Sequence, residues 1–197
     1  MRIIGLTGSI AMGKSHTARI FEEEGIPVFD ADAVVHALYQ PGGKAVDIVR
    51  NLSPQSVVGN AVDRVRLSAE IMNDEGLLKR LEAAIHPLVR EEQAQFIERE
   101  RRKKTPLVLV DVPLLFETGR ENEFDSIIVV SAPPAIQRQR ALARPGMTPE
   151  KLNLILSRQM PDREKRARAD FVVDTTGSDE LARSQVKRIV NQLSAPC

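Results

Sequence analysis

Residues 8–15 of this 197-residue chain read G-S-I-A-M-G-K-S and match the pattern G-x-x-x-x-G-K-[ST]. Glycine in such a loop lets successive backbone N–H groups turn inward and surround an anion. A helix that begins at the lysine directs its positive end at the same anion. The lysine reaches the β and γ phosphates of a nucleoside triphosphate, and the final hydroxyl is a ligand for Mg²⁺. The sequence therefore predicts a phosphate loop that takes a nucleoside triphosphate together with Mg²⁺.

The predicted nucleotide contacts extend one residue beyond the motif. They are Gly8, Ser9, Ile10, Ala11, Met12, Gly13, Lys14, Ser15 and His16. Lys14 is also a candidate catalytic residue, because its charge stabilises a transferring phosphoryl group. Ser15 is a candidate metal ligand.

Two acidic residues, Asp30 and Asp32, follow the second predicted strand. In open α/β sheets the carboxyl ends of the strands face the ligand crevice. A hydroxyl that accepts a phosphoryl group needs a carboxylate to orient it and to take its proton. Asp32 is the candidate base, and Asp30 is a candidate cap of the next helix. Capping by both residues is the alternative.

A third acidic residue, Asp111, closes the apolar run L-V-L-V. This pattern is typical of the strand-end carboxylate that supports magnesium in phosphate-loop proteins, and Asp111 is therefore the second candidate metal ligand. Glu117 lies six residues further on and is a candidate for the same cleft. A solvated surface charge is the alternative for Glu117.

Apolar runs and helical spacing predict which elements position these residues. We expect strands at 2–6, 26–29, 107–110, 127–130 and 171–173, and helices at 14–24, 33–39, 67–72, 77–102, 135–143, 149–159 and 178–193. We expect the helix at 77–102 to bend at Pro87, and we expect no strand between residues 43 and 104. Alternation of strands and helices favours the α/β class, with a five-stranded parallel sheet between two helical layers as in phosphate-loop NTPases.

The predicted organisation is one domain over residues 1–197. The strand-free stretch between the second and third predicted strands is expected to be a helical insertion beside the ligand cleft. Lys and Arg (28) nearly balance Asp and Glu (27), so no global attraction to nucleic acid or an anionic membrane is expected. The only cysteine, Cys197, excludes an intrachain disulfide. The apolar run at residues 2–6 is too short for a membrane span, which favours a cytoplasmic protein. The oligomeric state is not indicated.

Other sequence motifs distinguish between the classes of phosphate-loop protein. A GTPase would need a guanine-reading N-K-x-D or T-K-x-D element and a D-x-x-G switch. The first does not occur in this chain, and Asp111 is followed by Val-Pro-Leu, which does not match the second. A chain of this size is then expected to be a small-molecule kinase, which needs positive charge over the transferring group. Arg140 and Arg144 are spaced to share one helical face and are the candidate lid arginines. A solvated helix face is the alternative.

With these residues the chain resembles the dephospho-coenzyme A kinase family over nearly its whole length. The phosphate loop alone is shared with many proteins, but the ordered set of D-A-D, H-P-L and P-L-L-F-E is specific. The matching segments are G-L-T-G at 5–8, D-A-D at 30–32, H-P-L at 86–88, P-L-L-F-E at 113–117, Q-x-x-R at 137–140 with Arg144, R-Q-M-P at 158–161 and E-K-R-A-R-A-D at 164–170.

The resemblance implies transfer of the γ-phosphoryl group of ATP to the ribose 3′-hydroxyl of dephospho-CoA, which gives CoA and ADP and completes coenzyme A biosynthesis. It implies that Asp32 is the general base and that the acceptor site includes Thr7, Asp32, His86, Pro87, Leu115 and Glu117. It also implies three parts, with approximate bounds: a nucleotide core at residues 1–40, 105–135 and 168–197, a helical acceptor-binding region at 41–104, and a lid at 136–167. One alternative is a related kinase of another small alcohol or nucleotide, such as shikimate or a nucleoside monophosphate. The other is an ATP-binding module without catalysis.

Three positions depart from the family pattern. Ser9 and Ala11 stand where glycine is frequent, and His16 stands where threonine is usual. If Ala11 adopts a positive φ, the strain is about 1 kcal/mol. His16 removes a hydroxyl that often touches the α-phosphate, and an imidazole N–H is a substitute donor. The loop at residues 175–177, after the last predicted strand, is the expected neighbour of the adenine by topology alone.

Overall fold

A computed structural model describes residues 1–194, except for the side chain of Glu75. Cys197 lies outside the described residues. The chain forms two compact units: Met1–Phe29 with the residues from Glu100 onward, and Asp30–Arg99. Among the described residues, no helix combines the length and apolar character needed to cross a membrane.

The strands and helices alternate along most of the chain. The strands are β1 Arg2–Thr7, β2 Val28–Asp30, β3 Val57–Val58, β4 Ala61–Val62, β5 Leu107–Asp111, β6 Ser126–Ser131 and β7 Phe171–Asp174. The α-helices are α1 Lys14–Glu23, α2 Ala31–Leu38, α3 Val46–Leu52, α4 Arg64–Asn73, α5 Glu75–Arg102, α6 Pro134–Leu142, α7 Pro149–Ser157, α8 Asp162–Arg168 and α9 Asp179–Ser194. Short 3-10 helices lie at Pro54–Ser56 and Glu121–Glu123.

Five strands form one sheet in the order β2-β5-β1-β6-β7. The central strand β1 pairs in parallel with β5, with Leu6 opposite Asp111, and with β6, with Leu6 opposite Ile128. β7 adds in parallel outside β6. Every residue of β5 is buried, which requires cover on both faces of the sheet. The predicted fold class is therefore confirmed, and the phosphate loop leaves the central strand at its carboxyl end.

The main core joins the sheet to α1 and α9. Ala182, Val186, Ile189 and Leu193 lie on one face of α9 and are buried in the same cluster as the strand residues and the apolar face of α1. This packing holds α1 against the sheet. The loop between β1 and α1 is consequently anchored at both ends.

The unit Asp30–Arg99 has a core of its own, built from apolar residues of α2 to α5 and of the hairpin β3–β4. The expectation of no strand between residues 43 and 104 is wrong, because β3 and β4 pair antiparallel there. Gly59 and Asn60 connect them with φ values of 56° and 66°, the left-handed conformation that two-residue hairpin turns need. Strands of two residues are too short to show alternation in a sequence. α5 continues as one helix through Pro87.

Candidate active site

The phosphate loop depends on two residues with positive φ. Gly13 has φ 95° and precedes α1, and a Cβ built on it would lie 3.2 Å from the Oγ1 atom of Thr175. The positive φ and the close approach of Thr175 therefore both favour glycine there. Ala11 has φ 61°, so the predicted strain of about 1 kcal/mol is present.

Packing of the Ala11 methyl group offsets part of the energetic cost of that strain. Ala11 is buried in a cluster with Ala141 of α6 and Leu152 of α7, and Ile10 packs against the same cluster. Burying one methyl group stabilises by about 0.8 kcal/mol. Compared with glycine, alanine at this position is strained, but it adds an apolar contact with the two helices of the predicted lid.

The charge of Lys14 lies beside the carboxylate at the end of β5. The Lys14 ammonium contacts both oxygens of Asp111, with 2.5 Å between Nζ and Oδ2. Asp111 is buried, at 4% exposure. The parallel pairing of β1 with β5 brings the two residues together, because Leu6 lies opposite Asp111. Ser15, the other candidate metal ligand, lies exposed in the first turn of α1.

Thr175, directly after β7, joins the phosphate loop to one predicted lid arginine. Its Oγ1 hydroxyl donates to the carbonyl oxygen of Met12 at 2.8 Å. The guanidinium of Arg140 donates to Thr175 Oγ1 at 3.0 Å and to the Thr175 carbonyl oxygen at 2.7 Å. This two-point contact fixes the direction of the Arg140 side chain next to the loop.

A cavity of about 350 Å³ opens beside these residues. It brings together the phosphate loop, both predicted lid arginines and the loop after β7. The lining residues are Ala11, Gly13, His16, Arg140, Arg144, Thr175, Gly177, Ser178, Asp179 and Ala182. Its volume lies in the range of small-molecule sites. Thr175 and Gly177 come from the segment that the sequence suggests as the neighbour of adenine.

Both ring nitrogens of His16 have partners. Its Nδ1 lies 3.0 Å from Nη2 of Arg19, and its Nε2 lies 2.6 Å from Oδ1 of Asp179. A guanidinium only donates, so Nδ1 accepts and the imidazole holds its proton on Nε2, which donates to the carboxylate. A hydrogen bond from Arg183, followed by one from His16, lowers the pKa of Asp179. The imidazole N–H suggested as a phosphate donor is therefore directed at Asp179.

Two predicted acceptor contacts, Thr7 and Leu115, are fully buried. The Thr7 hydroxyl donates to the carbonyl oxygen of Pro113 at 3.3 Å. A Cβ on Gly5 would lie 2.7 Å from Leu115 Cδ1, so glycine at that position makes room for the leucine. In this structure both side chains are buried within the protein.

Glu117 is not a solvated charge, and that interpretation is wrong. Its Oε1 lies 2.8 Å from Nζ of Lys165 and accepts the backbone N–H of Met160 at 2.8 Å. Lys165 is fully buried, and its contact with Glu117 is an ion pair without an aligned hydrogen bond. The sequence does not single out Lys165, because it stands in a charged run that reads as an exposed helix face.

The remaining predicted residues belong to the unit Asp30–Arg99. Asp30 accepts the N–H of Ala33 at 3.0 Å and caps α2, which confirms that interpretation. The cap explains why α2 begins at Ala31. Asp32 is exposed in the first turn of α2, and His86 and Pro87 are exposed within α5. Their roles stay predictions.

The central β1–loop–α1 unit, the strand-end carboxylate beside the loop lysine and the arginine-lined cavity define a phosphotransferase of the phosphate-loop kinase class. The family model for dephospho-CoA kinase matches residues 2–181. A dephospho-CoA kinase of Rhodopseudomonas palustris is 50% identical over 190 residues, which cover 96% of this chain and 94% of the relative. The chain belongs to the dephospho-CoA kinase family.

Solved structures share this fold. A crystal structure from Thermus thermophilus matches with a TM-score of 0.81 and 34% identity, over 99% of this chain and 98% of that one. A dephospho-CoA kinase from Campylobacter jejuni matches with a TM-score of 0.70 over 98% and 97% of the two chains. At 23% sequence identity, this match shows similarity of fold alone.

Proposed function

We propose that this protein transfers the γ-phosphoryl group of ATP to the ribose 3′-hydroxyl of dephospho-CoA, the final step of coenzyme A biosynthesis. The observation that carries the proposal is the intact phosphate loop within a chain that matches the family along nearly its full length. The acceptor 3′-oxygen forms a bond to the γ-phosphorus, and the bond from that phosphorus to the bridging oxygen of ADP breaks. The hydroxyl proton leaves to a carboxylate, and CoA and ADP are the products.

The donor side of the reaction uses the loop and the arginines. Backbone N–H groups of the loop bind the β and γ phosphates together with the Lys14 ammonium, which pairs with Asp111 in this structure. Arg140 and Arg144 line the same cavity and offset the negative charge of the transition state. Thr175 holds the Arg140 guanidinium at two points, which supports a fixed position of its charge at this cavity.

Ser15 and Asp111 are the residues that would hold Mg²⁺. Among the described residues, no group of three or more His, Cys, Asp or Glu side chains could hold a metal ion. That fits an ion that arrives with its nucleotide, because Mg²⁺ keeps waters and phosphate oxygens and needs only one or two protein ligands. A hydroxyl and a carboxylate are suitable donors. When bound, the ion supplies neutralisation of charge on the phosphates.

The acceptor side is proposed to lie with Asp32, His86 and Pro87. Asp32 takes the proton of the 3′-hydroxyl, for which its exposed position in the first turn of α2 leaves it accessible. Thr7 and Leu115 stay predicted acceptor contacts, although both side chains are fully buried. Glu117 stays a candidate for the acceptor site, although its observed partners favour a structural role. The cytoplasmic location expected from the sequence stays a prediction.

The experiment is ADP release from Mg²⁺ and ATP with dephospho-CoA, and separately with shikimate or AMP. We expect strong stimulation by dephospho-CoA alone, and competition by CoA, which occupies the same acceptor site. Lys14→Ala is the control that separates this enzyme from a contaminant. Stimulation by shikimate or AMP instead would replace the proposed acceptor. ATP binding without stimulation by any acceptor would indicate a binding module without catalysis.

A further inference from the structure

Two glutamines hold the backbone of Ile10 in the phosphate loop. Gln159 Oε1 accepts the Ile10 N–H at 3.1 Å, and Gln137 Nε2 donates to the Ile10 carbonyl oxygen at 2.9 Å. Both glutamines belong to segments that mark the family resemblance, Q-x-x-R and R-Q-M-P, and neither has a role in the proposed reaction. The two contacts restrain both peptide groups that flank the Ile10 Cα.

The orientation of each amide follows from its partner. A backbone N–H only donates, so the oxygen of Gln159 must face Ile10. A backbone carbonyl only accepts, so the nitrogen of Gln137 must face it. The two glutamines therefore have opposite hydrogen-bonding roles toward one residue. That difference makes them separable by experiment.

Both glutamines are themselves held in place. Gln137 is buried on α6, at 7% exposure. Gln159 follows α7 and is half-buried, and the next residue, Met160, donates its N–H to Glu117. Two residues further on, the carboxylate of Asp162 accepts the hydroxyl of Ser131 at 2.7 Å.

The loop needs such restraints because Ala11 follows Ile10 directly. Ala11 has φ 61°, a conformation that residues other than glycine seldom adopt. A conformation of this kind persists where its surroundings impose it. The glutamine contacts to Ile10 and the apolar contacts of Ala11 with Ala141 and Leu152 are the surroundings that do so.

We infer that Gln137 and Gln159 are positioning residues that keep the phosphate loop in its nucleotide-binding conformation. They act through Ile10 and not by touching the nucleotide. The inference rests on the nucleotide-binding part of the proposed function and is independent of the acceptor. If either contact is lost, the backbone at Ile10 and Ala11 is free to leave the binding conformation, and affinity falls.

The first test is calorimetric binding of Mg²⁺–ADP to Gln137→Ala, Gln159→Ala and the double variant. Gln139→Ala is the matched control, because Gln139 is an exposed glutamine on the same helix α6. We expect each single variant to lose about fivefold to tenfold in affinity, as for removal of one hydrogen bond of about 1 kcal/mol. The double variant should lose less than the product of the two, because either change already releases Ile10. Gln139→Ala should bind as the wild type does.

The second test uses Gln137→Glu and Gln159→Glu. The two substitutions change the charge equally but affect the two hydrogen bonds to Ile10 differently. A carboxylate at residue 159 still accepts the Ile10 N–H, whereas one at 137 faces a carbonyl oxygen with no proton to donate. We expect Gln137→Glu to bind at least fivefold more weakly than Gln159→Glu, with similar melting temperatures. This comparison stands even if the alanine variants fold poorly. Affinities within twofold of wild type for both alanine variants, or equal losses in the two glutamate variants, would overturn the inference. Wild-type nucleotide binding without acceptor turnover would contradict the proposed reaction and leave this test valid.

Discussion

Lys14 of the phosphate loop forms an ion pair with Asp111 at the end of β5, and both carboxylate oxygens take part. The two residues meet because β1 and β5 are neighbours in the sheet. Their side chains are only 14% and 6% exposed, so solvent screens the pair weakly. The strand-end carboxylate thus orients the cation that is predicted to bind the phosphates.

The first prediction concerns that cation. We expect Lys14→Ala to lower kcat/KM for ATP by about 10²- to 10³-fold, the usual cost of removing one group that stabilises developing charge. Steady-state kinetics with dephospho-CoA check it. Lys187→Ala is the control, because Lys187 pairs with Glu24 at the surface at 3.6 Å, and such pairs contribute little. A loss below tenfold in Lys14→Ala would contradict the role assigned to the loop.

The second prediction separates the two aspartates after β2. We expect Asp32→Asn to bind ATP normally and to lose about 10²-fold or more in kcat, because an amide cannot take the acceptor proton. Asp30→Asn should keep both turnover and stability, since Asn caps helices as well as Asp does. Asp30→Ala should lose about 1 kcal/mol of the free energy of unfolding, as its contact with the Ala33 N–H is removed. Near-normal turnover in Asp32→Asn would remove Asp32 from the base role.

The third prediction compares two loop positions with positive φ. We expect Ala11→Gly to change the free energy of unfolding by less than about 1 kcal/mol, because relief of strain offsets the lost methyl burial and the added chain entropy. Gly13→Ala should destabilise by about 1–2 kcal/mol and weaken nucleotide binding, since its Cβ would press on Thr175. Urea unfolding of both variants checks it. A loss above about 2 kcal/mol in Ala11→Gly would mean that packing with Ala141 and Leu152 dominates.

The fourth prediction concerns the buried Lys165–Glu117 pair. We expect Lys165→Met to lower the free energy of unfolding by about 3 kcal/mol, because one partner of a buried ion pair is removed. Adding Glu117→Gln should recover part of the loss. Arg168→Met is the control on the same helix, since Arg168 is half exposed in its pair with Glu121 and should change stability by less than about 1 kcal/mol.

Glu117→Gln alone decides between the two roles of that residue. A change confined to stability supports the structural pair. A higher KM for dephospho-CoA at unchanged stability would support Glu117 as an acceptor contact and contradict the structural role. Steady-state kinetics and urea unfolding on the same preparation distinguish the two.

The features that were predicted correctly are those that depend on residues close together in the sequence. The β1–loop–α1 unit, the five strands of the main sheet and the cap of α2 by Asp30 all lie within short segments, where residue type and spacing reflect backbone conformation directly. Sequence reasoning missed the hairpin β3–β4 and the helices α3 and α8, which are too short to show a period. It also left the burial of Thr7 and Leu115 undetected, because burial depends on what packs from elsewhere in the chain.

The sequence by itself determined the phosphate loop, the α/β class and the family, because each depends on ordered motifs that are readable one segment at a time. Only the tertiary structure decided which distant groups meet. Lys14 meets Asp111 across 97 residues, and Ile10 meets Gln159 across 149. The physical reason is that such contacts follow from strand order and helix packing. The types of two residues do not specify how the strands and helices that carry them are arranged. For the same reason Lys165 is a buried partner of Glu117 although it stands among exposed charges in the sequence.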